Sequence, residues 1–515
     1  MRYGFVIDQD RCIGCHACTV ACKEEHNVPI GVFRTWVKYI EKGAFPASSR
    51  HFGVMRCNHC DNAPCVEICP TTALFRRGDG IVDFDSARCI GCKSCMQACP
   101  YDALYIDPNS HTAAKCNFCA HRVERNLEPA CVIVCPTQAI MTGDLDDPAS
   151  KVSRIVATQR VSTRKPHKGT EPKLYYVGIN SDLLHPTTIV PQRSHFWSEK
   201  QPGEHHYRGF DYDAAAERSN APTHAQAREI YDVAHPAPWG WRIAAYLWTK
   251  SIATGLLLVA AVLIALHYDA KDPILSTFAS GGAVVFTGLT ALLLIIDLKR
   301  PLRFIFLLTK PNFRSWVVIG TYILALYGVL AFAWFLEAYF GRPVPPELIF
   351  SAAPAAVACA CYSAFLFAQA KGRELWQSPL FFWHLLVQSF IAGAASIRLI
   401  AAASGLVGSF FPLLDKMTAL ALLLALLMIT IEVTTPAAGE DLRYATDVMA
   451  RGALRLPFWI VAVGLGTVVP IVILTFHLAP PLQEPARNLA CVLALIGLFV
   501  FEELWVIAGQ AVPLS

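Results

Sequence analysis

The sequence predicts two different folds in one chain. These are a cysteine-rich α+β domain over residues 1–180 and an all-α transmembrane bundle of about eight helices over residues 241–515, joined by a polar linker over 181–240. Sixteen of the nineteen cysteines lie before residue 136, whereas the apolar excess begins near Trp241. Only 16% of the 515 residues are charged and 54% are hydrophobic. An ordinary soluble domain has roughly 25% charged residues, so a membrane-embedded half is expected.

The clustered cysteines form four groups of four. The first and third groups both have the spacing Cys-x2-Cys-x2-Cys-x3-Cys. The groups are Cys12, Cys15, Cys18 and Cys22; Cys57, Cys60, Cys65 and Cys69; Cys89, Cys92, Cys95 and Cys99; and Cys116, Cys119, Cys131 and Cys135. Because a cubane iron–sulfur cluster takes four thiolates, the pattern predicts four [4Fe–4S] clusters with all sixteen cysteines as metal ligands.

Zinc sites and disulfides are the alternatives for a cysteine-dense segment. Zinc does not require the Cys-x2-Cys-x2-Cys-x3-Cys run, which occurs twice here. Proline follows the last cysteine of three groups, at Pro70, Pro100 and Pro136, as in bacterial ferredoxin runs, whereas Lys23 has this place in the first group. The pattern therefore favours iron–sulfur clusters.

The fourth cysteine of such a run ligates the other cluster of its pair. The second and third groups are adjacent, so we expect them to form one two-cluster unit and the first and fourth groups to form the other. The expected ligand sets are Cys12, Cys15 and Cys18 with Cys135; Cys116, Cys119 and Cys131 with Cys22; Cys57, Cys60 and Cys65 with Cys99; and Cys89, Cys92 and Cys95 with Cys69.

Eight apolar stretches after Trp241 are each long enough to cross a bilayer, which takes about 20 residues. They cover approximately 243–267, 274–297, 315–340, 347–370, 379–402, 413–434, 457–477 and 488–508. Small residues such as Gly281, Gly282 and Gly288 in the second stretch predict close helix contacts there.

Charge in the short loops predicts the orientation. An even number of spans places both ends of the bundle on one face of the membrane. The loops on that face hold eleven Lys and Arg residues: Arg242, Lys299, Arg300, Arg303, Lys310, Arg314, Lys371, Arg373, Arg443, Arg451 and Arg455. The loops on the opposite face hold four: Lys271, Arg342, Lys416 and Arg487. We therefore expect a multi-pass protein of the inner (cytoplasmic) membrane with its cysteine-rich domain on the cytoplasmic face. The first residues show no export signal, which agrees with a cytoplasmic position of the cysteine-rich domain. The alternative is that the basic loops bind the cysteine-rich domain.

The segment 173–179, KLYYVGI, has the alternation of a strand and is expected to complete the cysteine-rich domain. Beyond it the linker is polar and irregular. Its six histidines have no regular spacing, so solvated side chains are favoured over a metal site. They are His185, His195, His205, His206, His224 and His235.

Ionisable residues within the predicted helices suggest a second site, because such residues are costly in a membrane and usually functional. One layer lies near the cysteine-rich domain and includes Lys250, Asp297, Tyr362, His384, Glu432 and Glu502 or Glu503. The other layer lies toward the opposite face and includes His267, Glu337, Arg398 and His477. A quinone headgroup needs hydrogen bonds and proton exchange, which tyrosine, histidine and carboxylates supply.

Each of these residues also has a structural explanation. Asp297 and Glu432 lie at helix ends, where Lys299 or Arg443 could pair with them. Lys250 could extend to the interface, and Arg398 could pair with a carboxylate across the bundle. The cysteines in the helices are expected to be packing residues; they are Cys359, Cys361 and Cys491.

The chain resembles two protein families in sequence. All four cysteine groups and the segment PTQAIMTGDLDDP (136–148) resemble the four-cluster, ferredoxin-like electron-transfer subunits of complex iron–sulfur molybdoenzymes, such as dimethyl sulfoxide or polysulfide reductase. The segments DLKRPLRFIFLLTKPNFRSW (297–316) and YSAFLFAQAKGRELWQSPL (362–380) resemble the NrfD/polysulfide-reductase membrane anchors. In most such complexes these are two separate proteins, whereas here they are fused.

The resemblance implies an electron-transfer and membrane-anchor subunit without catalytic residues of its own. It implies a separate molybdopterin-containing catalytic partner, a ubiquinone or menaquinone held by the anchor, and no haem. The candidate quinone residues are His384, Tyr362, Lys250, Asp297 and Glu432. A nickel–iron hydrogenase partner and a redox-driven proton-coupling role remain alternatives. The small net charge of +4 gives no indication of a nucleic-acid partner.

Overall fold

A computed structural model describes residues 1–190, 227–437, 439–476 and 479–515. It contains a cysteine-rich domain of short strands and helices that packs on one end of a bundle of long apolar helices. Four of the linker histidines and His477 lie outside the described residues.

The first sheet of the cysteine-rich domain has the order β8–β1–β9. Strand β1 is Tyr3–Asp8, β8 is Ile140–Asp144 and β9 is Leu174–Val177. Strand β1 pairs antiparallel with β8 and parallel with β9, so the sheet joins the two ends of the domain. The strand expected in 173–179 is therefore present as β9.

The second sheet has the order β10–β11–β2–β3 and includes residues of the expected linker. Strands β2 (Thr35–Ala44) and β3 (Ala47–Arg56) form a hairpin, and β11 (Ala227–Tyr231) pairs antiparallel with β2. Strand β10 (Ile189–Val190) pairs with β11. Strands from both parts of the segment 181–240 that the structure describes, Ile189–Val190 and Ala227–Tyr231, thus belong to a sheet of the cysteine-rich domain.

Two further hairpins and six short helices complete the cysteine-rich domain. The hairpins are β4 (Leu74–Arg76) with β5 (Val82–Phe84), and β6 (Leu104–Ile106) with β7 (Ala113–Lys115). The helices are Ala17–His26, Pro64–Glu67, Ser94–Ala98, Ala120–Val123, Ala130–Ile133 and Lys151–Thr158. Four of these helices each begin shortly before the third cysteine of a group, so the third cysteine always lies in a first helical turn.

The membrane half contains eight helices long and apolar enough to cross a bilayer, which confirms the expected number. They are Trp241–Ala265, Ile274–Asp297, Trp316–Tyr339, Pro346–Ala368, Leu380–Ser404, Phe411–Thr434, Pro457–Thr475 and Pro481–Gln510. The eighth begins earlier than the expected residue 488. Shorter helices lie in the loops facing the cysteine-rich domain: Pro301–Ile305, Phe306–Thr309, Glu374–Gln377 and Glu440–Ala450.

The first membrane helix lies at the centre of the bundle. In its most apolar window 83% of the residues are buried, against 28% in the second, third and sixth helices. It packs against the second, fourth, fifth and eighth helices. Its sequence cannot show this position, because every face of every helix is apolar.

The closest helix crossings occur at glycines that the sequence analysis did not single out. A Cβ on Gly255 of the first helix would lie 1.9 Å from the carbonyl oxygen of Ser389 and 2.6 Å from the nitrogen of Gly393 in the fifth. By contrast, a Cβ on Gly288 would meet no atom within 4 Å. The expected close contact at Gly288 is therefore wrong, although Gly282 does face Leu256 closely.

A buried ionic cluster ties the C-terminus to the cysteine-rich domain. Lys38 Nζ lies 2.8 Å from Glu229 and 2.9 Å from Asp232, and it donates to the Ser515 carbonyl oxygen at 2.8 Å. His235 Nδ1 lies 2.7 Å from Asp102 Oδ2, and its Nε2 lies 3.5 Å from Asp232. His235 is therefore a structural cation rather than the solvated side chain expected from its irregular spacing.

This cluster predicts a loss of stability at alkaline pH. Burial alone would lower the pKa of His235, but the carboxylates of Asp102 and Asp232 outweigh it and raise the pKa to about 10. The protonated side chain therefore stabilises the fold fully below about pH 6.5, and its contribution falls as the pH rises to about 10. We expect a His235→Gln variant to be less stable by on the order of 3 kcal/mol at pH 6.5, and both proteins to converge near pH 10.

Thermal unfolding in detergent between pH 6 and pH 10.5 measures this difference. His167→Gln is the matched control, because His167 is exposed and lies 3.7 Å from Glu374. A constant gap between His235→Gln and the unsubstituted protein over the whole pH range would contradict the assigned role.

Candidate functional site

The backbone takes the same conformation at the first pair of cysteines in every group. The residue before the second cysteine has a positive φ in all four: Gly14 (71°), His59 (45°), Gly91 (71°) and Phe118 (63°). This conformation points the backbone N–H of His59 at Cys57 Sγ, at 3.4 Å. The N–H of Gly91 lies at the same distance from Cys89 Sγ. Non-glycine residues adopt it at a cost of about 1–3 kcal/mol, so these loops are held by their surroundings.

The fold brings the sixteen cysteines together in four sets, which we number from the membrane outward. Sets 1 and 4 each line one cavity. In sets 2 and 3, cysteines of the same set interact electrostatically with one another. Set 1 is Cys69, Cys89, Cys92 and Cys95; set 2 is Cys57, Cys60, Cys65 and Cys99; set 3 is Cys22, Cys116, Cys119 and Cys131; set 4 is Cys12, Cys15, Cys18 and Cys135. These are the four sets that the spacing predicts.

The surroundings of these thiols fit a metal cluster. All nineteen cysteines of the protein have free thiols. Burial raises the pKa of Cys18 to about 11 and that of Cys92 to about 12. Thiolates are unfavourable at such positions unless metal cations supply the opposing charge. Four soft sulfur donors in an apolar cage are the ligand environment that iron–sulfur clusters use.

The four sets form a row. Cys95 of set 1 is a close neighbour of Cys65 of set 2. Cys57 of set 2 adjoins Cys116 of set 3. Cys131 of set 3 adjoins Cys18 of set 4. The sequence analysis did not give this order, because cysteine spacing assigns ligands and not positions in space.

Set 1 lies directly on the membrane bundle. Three side chains from the membrane half donate hydrogen bonds to the carbonyl oxygens of its cysteines: Arg303 to Cys89 at 2.8 Å, Asn312 to Cys69 at 2.8 Å and Trp239 to Cys92 at 3.3 Å. These contacts hold the backbone of the ligand loops against the bundle. This end of the row is therefore the one closest to the bilayer.

Asp297 joins the two halves at the same place. Its Oδ2 lies 2.8 Å from Nζ of Lys93, the residue after Cys92. The sequence analysis had placed Asp297 either in a quinone pocket or beside Lys299. The structure pairs its carboxylate with Lys93 of the cysteine-rich domain rather than with Lys299.

Lys250 and Tyr362 come together inside the bundle. Lys250 is fully buried, and its Nζ donates to the Ala360 carbonyl oxygen and to Ser363 Oγ, both at 2.7 Å. The ammonium lies 4.9 Å from the centre of the Tyr362 ring. Lys250 thus does not extend to the interface. Ser363, which sequence reasoning missed, is the hydroxyl that fixes its position.

Glu502 is the carboxylate nearest to this lysine. Its side chain is buried, and neither carboxylate oxygen has a hydrogen-bond partner in the described part of the protein. Among the described residues, Lys250 is a charged group that interacts with this carboxylate. Of the two glutamates that the sequence analysis left open, Glu502 is therefore the one that belongs to this pocket. Buried polar oxygens without partners are costly, and a bound ligand would satisfy them.

His384 and Glu432 form a second pair. His384 Nε2 lies 3.2 Å from Glu432 Oε2, and Ser378 Oγ donates to the other oxygen of Glu432 at 2.8 Å. The His384 ring stacks on Phe501, the neighbour of Glu502, with 5.7 Å between the ring centres. The eighth helix thus connects this pair to the Lys250 pocket. Glu432 does not pair with Arg443.

Arg398, a member of the second layer of ionisable residues, belongs to a separate network toward the opposite face. Arg398 lies 2.8 Å from Asp415 and 2.5 Å from Glu484, and Arg487 lies 3.2 Å from Asp415. The expected pairing of Arg398 with a carboxylate across the bundle is confirmed. Glu337, another member of the second layer, lies 3.9 Å from Arg342.

Known families match both halves of the protein. Residues 11–74 and residues 50–145 each match a family described as a 4Fe-4S dicluster domain. Residues 231–513, more than half of the sequence, match the family described as Polysulphide reductase, NrfD. Residues 146–230 lie between the two kinds of match.

Curated relatives match the first half and include parts of reductases. A subunit of the tetrathionate reductase of Salmonella typhimurium is 43% identical over 189 residues, which are 36% of this sequence and 76% of the relative. A component of the polysulfide reductase of Wolinella succinogenes is 42% identical over 34% of this sequence and 94% of its own length. Protein NrfC of Escherichia coli is 45% identical over 34% of this sequence and 81% of its own length.

Proposed function

This protein belongs to the NrfD polysulphide reductase family and carries 4Fe–4S dicluster domains at its N-terminus, and from this we propose how it carries electrons. It is a multi-pass membrane protein that acts as the electron-transfer and anchor subunit of an oxidoreductase complex. The four cysteine sets hold four [4Fe–4S] clusters, and the membrane bundle binds a quinone below set 1.

The observation that carries this proposal is the contact between set 1 and the bundle. Lys93 and Cys92 of the cysteine-rich domain meet Asp297 and Trp239 of the membrane half. The row of sets therefore ends at the membrane and not in solvent. Iron–sulfur clusters bound there supply one-electron carriers, whose potentials depend on hydrogen bonds and burial.

The quinone pocket is assigned to Lys250, Tyr362, Glu502, His384 and Glu432. Lys250 can donate a hydrogen bond to a headgroup carbonyl, since Ser363 and Ala360 use only two of its three N–H groups. Glu502 and the His384–Glu432 pair can hold the protons that quinone redox chemistry exchanges. Asp297, a candidate on sequence grounds, takes no part in this pocket because Lys93 occupies its carboxylate.

A His384→Ala variant tests the pocket. We expect its quinone-linked electron transfer to fall at least tenfold, within the range that loss of a general acid–base group produces. Reduction of the clusters by dithionite should be unchanged, because His384 touches none of the cysteine sets. His267→Ala is the matched control, as His267 follows the first helix on the opposite side. Normal quinone turnover in His384→Ala would count against the assignment.

The catalytic partner is proposed to bind at the other end of the row. Around set 4 several apolar side chains face solvent: Ile13 and Val20 beside the first cysteine group, and Ile133 and Val134 beside the fourth. Cys15 of this set is itself exposed. Two of the relatives named above are parts of tetrathionate and polysulfide reductases. A separate molybdopterin-containing subunit on this surface would complete the electron path.

The cysteine-rich domain is proposed to face the cytoplasm. Three of the eleven basic residues counted for orientation bind this domain: Arg300 to Ser110, Arg303 to Cys89 and Arg373 to Gln97. The remaining eight still outnumber the four on the opposite face. The charge asymmetry therefore supports the cytoplasmic orientation after the docking arginines are excluded.

A further inference from the structure

Arg56 is a buried cation at the centre of the row of cysteine sets. It ends strand β3 immediately before Cys57, and its side chain is fully buried. Its Nη1 donates to Cys131 Sγ of set 3 at 3.1 Å. Its guanidinium carbon lies 4.6 Å from the centre of the Phe5 ring, which covers one face.

The counter-charge of Arg56 distinguishes it from three buried lysines of the same domain. Lys38, Lys165 and Lys173 each lie within 3.0 Å of a carboxylate. Within the described residues Arg56 pairs with no carboxylate. The charged groups that face it are the sulfurs of Cys131, Cys116 and Cys18.

Two further nitrogens of Arg56 point to the same conclusion. Its Nε and Nη2 are buried and have no hydrogen-bond partner among the described residues. A buried, unpaired guanidinium is strongly unfavourable. An anionic cluster bound by set 3 would supply both the missing charge and the missing acceptors, since its sulfides accept hydrogen bonds.

We propose that Arg56 raises the reduction potential of the cluster bound by set 3 above that of its neighbours, so that this position holds the electron most strongly. Adding one electron to that set increases its negative charge by one; no bond breaks and no proton moves. A fixed positive charge in a low-dielectric interior stabilises the added electron, as does a hydrogen bond to a ligand sulfur. Arg56 is therefore a positioning and tuning residue.

Set 3 also receives a contact on its other side. His26 Nε2 lies 3.1 Å from Cys119 Sγ. By comparison, Lys93 beside set 1 is neutralised by Asp297, and Lys115 near Cys65 of set 2 is bound by the carbonyl oxygens of Val82 and Cys116. Set 3 thus combines a cation that donates directly to one of its sulfurs with a second side-chain contact to another, whereas Lys115 donates to carbonyl oxygens and not to a sulfur. This combination makes set 3 the high-potential position.

The test is a redox titration of the full-length protein, followed by electron paramagnetic resonance, with the signal of set 3 identified by its change in Cys131→Ser. We expect Arg56→Gln to lower the reduction potential of the cluster bound by set 3 by at least 59 mV. This shift is a tenfold decrease in the equilibrium constant of its one-electron reduction. Arg56→Lys keeps the charge and should shift it less. Arg164→Gln is the control, because Arg164 is equally buried but donates to the Leu514 carbonyl.

An unchanged potential of set 3 in Arg56→Gln would overturn the proposal, as would equal shifts in the lysine and glutamine variants. If Arg56→Gln does not assemble, the proposal is tested on unsubstituted protein labelled with 15N-arginine. A hyperfine coupling between the label and the electron paramagnetic resonance signal of reduced set 3 supports the proposal. The absence of this coupling refutes it. The inference rests on the proposed four clusters. Iron content per molecule tests that assignment separately, so the two failures are distinguishable.

Discussion

A Cys92→Ser variant is expected to lose quinone-linked electron transfer almost entirely, by at least about 100-fold. Removing groups that merely support metal ligands already costs 10–100-fold, and Cys92 is assigned as a ligand itself. It belongs to set 1, the set that Trp239 and Asp297 hold against the bundle. With that position lost or altered, electrons reach set 2 but have no close route to the membrane.

The measurement is quinone reduction by the reconstituted protein, with iron content and the visible spectrum recorded in parallel. We expect the other three sets to remain reducible by dithionite. Cys491→Ser is the matched control: Cys491 is a buried cysteine of the eighth membrane helix and belongs to none of the four sets. Full quinone turnover in Cys92→Ser, or equal losses in both variants, would contradict the assignment of set 1.

A Gly255→Val variant is expected to prevent the membrane bundle from folding. A Cβ at this position would lie 1.9 Å from the Ser389 carbonyl oxygen, and the atoms it meets belong to the backbone of the fifth helix. Backbone atoms within a helix cannot move aside singly, so the whole crossing must open. The cost should exceed the approximately 3 kcal/mol of ordinary overpacking.

The yield of monodisperse protein and its thermal unfolding in detergent measure this effect. Gly288→Val is the matched control, because the second helix leaves open space around Gly288. We expect the control to behave like the unsubstituted protein. Normal yield and thermal stability in Gly255→Val would mean that the first and fifth helices do not cross as closely as described.

The ligand sets of the clusters could be predicted from the sequence because their geometry is local. Three cysteines of sets 1, 2 and 4 lie within one loop and helical turn, as the binding of a cubane requires. In set 3 a short helix separates Cys119 from Cys131. The αL positions at Gly14 and Gly91 follow from the same turn. Phe118 and His59 occupy equivalent positions, where the sequence gives no such indication.

The membrane helices were predictable in number but not in arrangement. Length and hydropathy identify a span, and all eight expected stretches are present. Packing within the bundle depends on which small residues face each other, and an apolar helix has no polar face to reveal this. Gly255 and Gly393 therefore went unnoticed, while Gly288 was wrongly expected at a close contact.

The junction between the halves was beyond sequence reasoning for a related reason. On sequence grounds Asp297 was a quinone candidate or a partner of Lys299, whereas the folded protein pairs it with Lys93 of another domain. His235 looked like one of several solvated histidines until the fold placed it between Asp102 and Asp232. Such pairs join residues far apart in the sequence, so only the tertiary structure decides them.

Stopped-flow spectroscopy of the anaerobically purified protein in lipid nanodiscs tests the central claim most directly. The clusters are reduced with stoichiometric dithionite, mixed with a lipid-soluble quinone, and followed by their visible absorbance. We predict that dithionite bleaches the absorbance and that quinone restores it without any added partner protein. Protein without visible absorbance, or bleached protein that quinone fails to restore, would contradict electron transfer from the cysteine sets into the membrane bundle.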